Sequence, residues 1–576
     1  MPSGIPGGTA GGLGPVDFPA YEPTVPGMIR AAVGEHGHRM LAVLGDHRVT
    51  YANADTASKA IAKGLLAIGV GKGTRVGLLA PNSPDWIAAW LAIGRIGALG
   101  VLLNTYYRAK ELDWVLRHGD VQVLLCASRH LGHDYPALLE EIATPGDGRV
   151  IRAPSPDRVE DAGGGDGWFG DDRVIRAPSH PYLRSVWVWG QPDRPWLASM
   201  DSLVAAGEAI DDGLLAAVEA QVSPADEFVV VYTSGSTAAP KGAVHTQGAV
   251  VRHAHNLWRF RDLVAGDRLY TPMPMFWVGG MSFTLVAVIH VGAGLVFEER
   301  FEPGETLALI ERERVTLVAG WPHMAKLLTD HPDFPTRDLS SVRGGSLYAL
   351  LPPEEQIEDP ELRVNSLGMT ETLGPHTLDM MGTPLPEKRR ASFGRPVPGM
   401  EHRIVDPETG EDCPPGRRGE VWVRGYALMV GLYKVERADA FTPDGWYRTG
   451  DSGYFDGDGY FYFTGRMGDL IKSSGMNITP REIELVLEES DAVMHAFVCG
   501  VPHPDRLEDV AAAVVLRPGR TLTAEDLRAF VASRVASYKV PRHLALFDAP
   551  GALPWLDSGK IDLTGVKRLL AERFKS

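Results

Sequence analysis

From residue 50 onward the sequence alternates between two periodicities. Residues 52–68 and 84–93 space their apolar side chains as a helix does, whereas residues 76–79 and 121–125 are short apolar runs of strand type. Such alternation is the pattern of an α/β sheet. At 576 residues the chain is several times a typical domain, so two or more packed units are expected. Its 44% hydrophobic and 23% charged content is that of a globular protein and excludes a disordered or fibrous chain.

A formal net charge of -16 argues against broad attraction to nucleic acid or to an anionic membrane, so any phosphate must be held locally. Cys126, Cys413 and Cys499 lie far apart and form neither a metal-type pair nor a disulfide framework. That usage favours a reducing compartment, with the cytoplasm as the default. Residues 1–27 open without the basic and apolar regions of a secretory signal and read as a flexible tail. Residues 271–297 lack Asp, Glu, Lys and Arg, but Pro272, Pro274, Gly279, Gly280, Gly292 and Gly294 interrupt them. This predicts buried helix and strand rather than a transmembrane segment.

The heptapeptide RVIRAPS occurs twice, at 149–155 and 173–179, around a Gly- and Asp-rich spacer, and reads as a duplicated, mobile surface insertion. After Met467 the character changes to a small α+β unit. Thr479, Pro480, Arg481 and Glu482 form a capping box that opens a helix to about residue 489, and Thr523 to Asp526 resembles an acidic second one. Residues 493–501 and 510–516 are strand-like. The expected organisation is a tail over 1–27, a large domain over 28–466 with the insertion at 149–179, and a small domain over 467–576.

Residues 228–232 have a buried-strand pattern, and Thr233, Ser234, Gly235, Ser236 and Thr237 follow at once, with Lys241 and Gly242 close behind. In α/β sheets ligands gather at strand ends. Hydroxyls donate hydrogen bonds, glycine lets backbone amides approach, and Lys241 supplies a compact positive charge, a set suited to polyphosphate. The pattern is not the nucleotidase P-loop, because Lys241 precedes Gly242 and no Ser or Thr follows for magnesium. Taken alone, the run is also an ordinary turn. It has companions, in order: NSLGMTET at 365–372, GWYRTGD at 445–451, FTGRMGDLIKSSGMNITPREIE at 463–484 and DSGKID at 557–562.

These five motifs, over residues 48–560, resemble the superfamily of adenylate-forming enzymes, which includes acyl-CoA synthetases, peptide-synthetase adenylation domains and firefly-type luciferases. The resemblance implies a large N-terminal adenylation domain of packed α/β sheets and a small α+β C-terminal domain that rotates between two half-reactions. A carboxylate first attacks the α-phosphate of ATP, giving an acyl adenylate and pyrophosphate; a thiol then takes the acyl group. It implies that Thr233, Ser234, Gly235, Ser236, Thr237 and Lys241 meet the β- and γ-phosphates, and that Thr370 and Glu371 serve phosphate contact and Mg2+. Asp451 would accept from the ribose hydroxyls, Arg466 would reach the ribose and phosphate side, and Lys560 would stabilise charge developing at the α-phosphate. Gly344, Gly345 and Ser346 would line the adenine and acyl site, and Lys472, Ser474 and Gly475 would border the thiol tunnel. Each position also has a plainer reading: a solvated turn, a surface Thr-Glu pair, an interface ion pair or an exposed lysine.

The sequence departs from the family pattern in places. Leu367 stands where an aromatic residue usually stacks on adenine, Gly468 occupies the hinge position, and Trp555 replaces a basic residue before Lys560. Relatives that activate α-amino acids carry an aspartate after the Phe of the segment matching Phe276, and here Trp277 follows, so a buried ammonium would be unpaired. Met273, Met275, Phe276, Trp277, Met281 and Phe283, with Gly279, instead suggest a pocket for a hydrophobic fatty, alicyclic or aryl acid, provided that they face a pocket rather than the core. The expected co-substrates are ATP, with Mg2+, and coenzyme A. The alternatives are loading of a separate carrier protein and a catalytically weak binding protein of the same fold. The oligomeric state is open, a homodimer included.

Overall fold

The computed structural model describes residues 17–143, 175, 177–233, 240–467, 471–473, 476–478, 480–503, 507–535, 539–556 and 560–574. The apolar runs become strands. Arg75–Leu79, Val123–Ala127 and Glu227–Thr233 lie in one eight-stranded sheet, ordered Gly431–Leu432, Lys241–Thr246, Glu227–Thr233, Leu99–Leu102, Arg75–Leu79, Val123–Ala127, Ser185–Trp189, Leu197–Ser199. From Glu227–Thr233 onward every neighbour in that order is parallel, whereas Lys241–Thr246 runs antiparallel to it. A six-stranded sheet, ordered Gly344–Gly345, Leu317–Val318, Arg268–Tyr270, Gly294–Phe297, Met40–Leu44, His47–Thr50, is parallel except for its last hairpin.

The helical segments share one core with both sheets. Tyr51–Ala67 is opened by Thr50, which accepts from the Asn53 amide in a capping box. Pro84–Arg95 starts on a Ser83 cap with proline in its first turn and is apolar nearly all round, as a helix buried on every side must be. Trp86 and Trp90 stack within it, and Trp90 meets Phe228 of the strand that leads to Thr233. Arg95 ends the helix inside the core because Asp55, Glu219 and Ser58 satisfy its guanidinium.

Residues 271–297 form buried helix and strand, as their breakers predict, and among the described residues no helix is long and apolar enough to cross a membrane. The expected tail divides. Residues 1–16 lie outside the described residues, but the Tyr21 hydroxyl lies 3.0 Å from His290 Nδ1 and Thr24 caps the helix Val25–His36, so residues 17–27 are packed. Their aromatic side chains supply the anchoring that composition did not reveal. Most of the insertion at 149–179 lies outside the described residues, as do Thr479 and Gly468.

Two compact units are present. One comprises the described residues up to Glu401 together with Arg424–Gly445, and the other His402–Val423 with the described residues from Trp446. The second begins earlier than residue 467 because Tyr447–Phe455 pairs on one side with Phe461–Arg466 and on the other with Gly419–Gly425. Its further sheet joins Ile471–Ser473, Leu507–Leu516, Val493–His503 and the parallel strand His543–Phe547. Helices Pro480–Glu488 and Ala524–Ala532, the latter capped by Thr523, pack there with Leu563–Arg573.

Candidate active site

Thr233 and Lys241 face each other across a hairpin, one ending the strand Glu227–Thr233 and the other opening Lys241–Thr246. Thr233 is half-buried and Lys241 exposed. Ser234, Gly235, Ser236 and Thr237 lie between them, outside the described residues. The hairpin is braced from one helix, Ala109–His118. The Trp114 indole N–H donates to the Pro240 carbonyl at 3.3 Å, and His118 Nδ1 lies 2.8 Å from the Tyr232 hydroxyl. Burial lowers the pKa of His118, with Lys434 adding to the effect, so the ring is neutral near pH 7.

Thr370 and Glu371 sit on a short turn, Thr370–Thr372, between the antiparallel strands Leu367–Met369 and Gly374–Leu378. The turn closes on Leu373, which takes a left-handed conformation at φ 58°. His245, fully buried on the strand that Lys241 opens, donates from Nε2 to the Thr370 carbonyl at 2.8 Å. The Met429 amide donates to the Glu371 carbonyl at 2.8 Å, and the next amide, of Val430, donates to the Val244 carbonyl. Thr372 accepts from the Met369 amide and lies 2.8 Å from the Gly374 carbonyl, to which its hydroxyl donates. Backbone bonds therefore fix the turn, and among the described residues the Glu371 carboxylate has no ion-pair partner. Leu367 is buried at the start of this hairpin, where its amide donates to Thr377 Oγ1.

Gly344 and Gly345 form the edge strand beside Leu317–Val318. Gly345 has φ +124°, and a Cβ there would come within 1.9 Å of the Val318 carbonyl oxygen. The neighbouring strand, not a ligand, is thus the immediate reason for that glycine. Ser346 joins Gly320 through both its carbonyl and its amide, at 2.9 and 3.0 Å.

The apolar segment resolves into two sets. Met275, Phe276 and Met281 are buried in the core cluster, the alternative that the sequence left open for them. Met273, Trp277, Gly279 and Phe283 are only half-buried. Asn82 holds the bend between the sets, donating to the Met273 carbonyl and accepting from the Met275 amide, both at 2.8 Å. A Cβ on Gly280 would meet the Pro274 carbonyl oxygen at 2.1 Å, so Gly280 is the sterically required glycine, whereas Gly279 has ordinary room. A π-helical stretch, Met281–Val286, follows, and such turns recur at functional sites.

In the other unit, Asp451 and Arg466 are paired across neighbouring strands, with Arg466 Nε 2.9 Å from Asp451 Oδ1. Asp451 is buried and Arg466 exposed. The Asp451 amide donates to Thr449 Oγ1, and that hydroxyl donates to the Val421 carbonyl. Lys472 lies on the strand Ile471–Ser473, and Ser474 and Gly475 fall outside the described residues. Lys560 is exposed, and its carbonyl accepts from the Leu556 amide beside a bridge between Trp555 and Ile561.

Sequence motifs and sheet order now meet in a known family. The model of the AMP-binding enzyme matches residues 29–433, most of the chain, and that of the AMP-binding enzyme C-terminal domain matches 482–560. The chain belongs to the AMP-binding enzyme family. It is 30% identical over 537 residues to the putative acyl-CoA synthetase YngI of Bacillus subtilis, covering 92% of this chain and 93% of that one. It is also 30% identical over 533 residues to the indoleacetate–CoA ligase of Aromatoleum aromaticum, covering 91% and 94%. The fold matches that of the anthranilate CoA ligase AuaEII in complex with anthranoyl-AMP, with TM-score 0.76 at 23% identity over 97% and 98% of the two chains. The mixed α/β fold and the acid–thiol ligase type of AMP-binding enzyme, expected from the motifs, are those of the relatives.

His245, Trp114, Met429 and Asn82 are the residues that sequence reasoning missed. None lies in a spaced motif, and each acts by a hydrogen bond to backbone remote in sequence.

Proposed function

We propose that this AMP-binding enzyme activates a hydrophobic carboxylic acid with ATP and passes the acyl group to coenzyme A. The observation that carries the reading is the tie from the Lys241 strand to the Thr370–Glu371 turn: a single hydrogen bond from His245 joins the two motifs that the family assigns to phosphate. In this reading Thr233 and Lys241 hold the β- and γ-phosphates, Lys241 as a compact charge. Thr370 donates its hydroxyl to phosphate, and Glu371 is the carboxylate for Mg2+. The donor set fits that ion, since Mg2+ usually takes one or two protein carboxylates together with substrate phosphates and water, and Glu371 is half-buried with no competing cation among the described residues. When bound, Mg2+ would offset phosphate charge.

Asp451 accepts from the ribose hydroxyls, and Arg466 serves the phosphate side, which requires its guanidinium to swing off the carboxylate. Lys560 stabilises the charge that develops when the substrate carboxylate attacks the α-phosphate. Met273, Trp277, Gly279 and Phe283 form the acid-binding wall, apolar and without a carboxylate, which suits fatty, alicyclic or aryl acids. The mobile part begins at residue 467, next to Arg466, and Lys472, Ser474 and Gly475 serve the thiol step.

The test is pyrophosphate release from ATP and Mg2+ across fatty, aryl, alicyclic and amino acids, each with and without coenzyme A. Release that depends on a hydrophobic acid, with coenzyme A consumed, is the expected result. Adenylate that accumulates regardless of coenzyme A would redirect the second step to another acceptor, and silence across all acids with nucleotide still bound would make the protein a binding module.

A further inference from the structure

On the reading just given, the Thr370–Glu371 turn must hold its two side chains at a set place relative to Lys241. The turn's own hydrogen bonds, from the Leu373 amide to the Thr370 carbonyl at 3.1 Å and through the Thr372 hydroxyl to Met369 and Gly374, close it locally and do not reach the Lys241 strand. Besides the Met429 amide on the Glu371 carbonyl, the outside ties come from the hairpin strand Lys241–Thr246 and the helix Gln247–Leu257 that follows it without a loop.

Side chains in a strand alternate between faces, so Lys241, Ala243 and His245 point to one face, with Lys241 and His245 about 14 Å apart along the strand. The small side chain of Ala243 lies between them on that face. His245 reaches the Thr370 carbonyl, which can only accept, so Nε2 carries the proton. Nδ1 is buried and has no hydrogen-bond partner among the described residues. The ring is thus held by one bond, and that bond ends on the turn. A second histidine repeats the arrangement at the far end. His253, fully buried on the helix, donates from Nε2 to the Pro375 carbonyl at 3.1 Å, while its Nδ1 lies 3.1 Å from the Tyr426 hydroxyl. The two rings therefore pin the carbonyl that opens the Thr370–Gly374 segment and the one just after it, leaving the hydroxyl of Thr370 and the carboxylate of Glu371 to serve the ligand.

We propose that His245 is a positioning residue for adenylation: it registers the Thr370–Glu371 turn against the Lys241 strand, with His253 fixing the other end. It touches no substrate. An ordinary packing histidine would be exchangeable for an apolar residue of similar volume. A positioning histidine is exchangeable only for a side chain that donates from the same place.

The test compares His245→Gln, which keeps a donor near the Nε2 position, with His245→Met, which keeps volume and loses it. Calorimetric binding of a non-hydrolysable ATP analogue, with and without Mg2+, is read beside thermal melting and the two half-reactions. We expect His245→Met to lose at least tenfold of the Mg2+-dependent gain in nucleotide affinity and at least tenfold in adenylation. Mg2+-free binding and thioester formation from preformed acyl adenylate should stay within threefold of the parent, and His245→Gln should recover most of the loss. Equal losses in both half-reactions, or no difference between the Gln and Met variants, would overturn the proposal. If His245→Met does not fold, the 15N spectrum of the parent protein decides it: a protonated Nε2 and a bare Nδ1 at His245 support the clamp, and the opposite tautomer overturns it. A parent protein that binds no nucleotide at all would instead sink the ligase reading, and the inference with it.

Discussion

Two adjacent glycines in the edge strand should respond in opposite ways to the same substitution. At Gly345, a methyl group would sit 1.9 Å from the oxygen, 2.6 Å from the carbon and 2.7 Å from the nitrogen of Val318, all backbone atoms, with φ at +124°. Val318 cannot retreat, because it is fully buried and its carbonyl accepts from the amides of both Ser346 and Leu347. The backbone conformation costs about 1–3 kcal/mol for a non-glycine residue, and displacing the two hydrogen bonds adds about 1 kcal/mol each. Gly345→Ala should therefore cost about 3–5 kcal/mol. At Gly344 the added carbon would meet only the Leu317 Cδ2 methyl, at 3.1 Å, the far end of a flexible side chain, and no positive φ is involved. Gly344→Ala should cost less than about 1 kcal/mol. Differential scanning calorimetry of both variants, with ATP affinity measured on whatever remains folded, separates the causes. Gly345→Ala that melts like the parent protein but binds ATP poorly would show that the glycine serves the ligand. Equal destabilisation by both substitutions would refute the strand argument from the other side.

Three further outcomes follow from the site and its surroundings. Lys560→Ala should slow adenylation by roughly a hundred- to thousand-fold, the scale for removing one positioned electrostatic donor, while acyl transfer from preformed adenylate survives; equal loss of both steps, measured separately, would remove Lys560 from its assigned role. Trp277→Ala should shift preference toward bulkier acids with little change in the KM for ATP, whereas Phe276→Ala, in the core, should lose about 3–5 kcal/mol of stability, so a kinetic screen and a melt of the pair test the division of that segment. Burial holds His290 and His402 at about 3, below the ordinary histidine value of 6.5. Below pH 6.5 the unfolded chain therefore binds protons that the folded chain refuses, and stability falls as pH drops toward 3. Each such histidine contributes about 1.4 kcal/mol per pH unit in that window, and melting curves between pH 7 and 5 should be shallower for His290→Gln than for the parent protein.

Local signals in the sequence were enough for much of the fold. The apolar run that became Glu227–Thr233, the Thr523 cap and the breakers within 271–297 each act over a few residues, so each is written where it acts. The face that a residue presents is less accessible. Met275, Phe276 and Met281 enter the core while Met273, Trp277 and Phe283 do not, because the bend held by Asn82 and the π-helical stretch from Met281 break the regular period on which a facing argument depends. A motif glycine is ambiguous in the same way. Gly345 reads as a place where a ligand comes close, yet the group that comes close is the Val318 carbonyl.

The hidden part of the site has a common physical cause. A short turn that must offer its side chains to a ligand cannot spend them on holding itself in place, so it is held by its carbonyls. The donors that reach those carbonyls, His245 for Thr370, the Met429 amide for Glu371 and His253 for Pro375, lie 125, 58 and 122 residues away in the chain. A backbone carbonyl accepts from any donor of suitable reach, so it imposes no residue type of its own and leaves no spacing to read. The motif therefore announces the chemistry while the geometry that makes it work is carried by residues that look like core. It follows that exchanging Thr370 or Glu371 alone tests the ligand contact, and only exchange of the buried donors tests the placement.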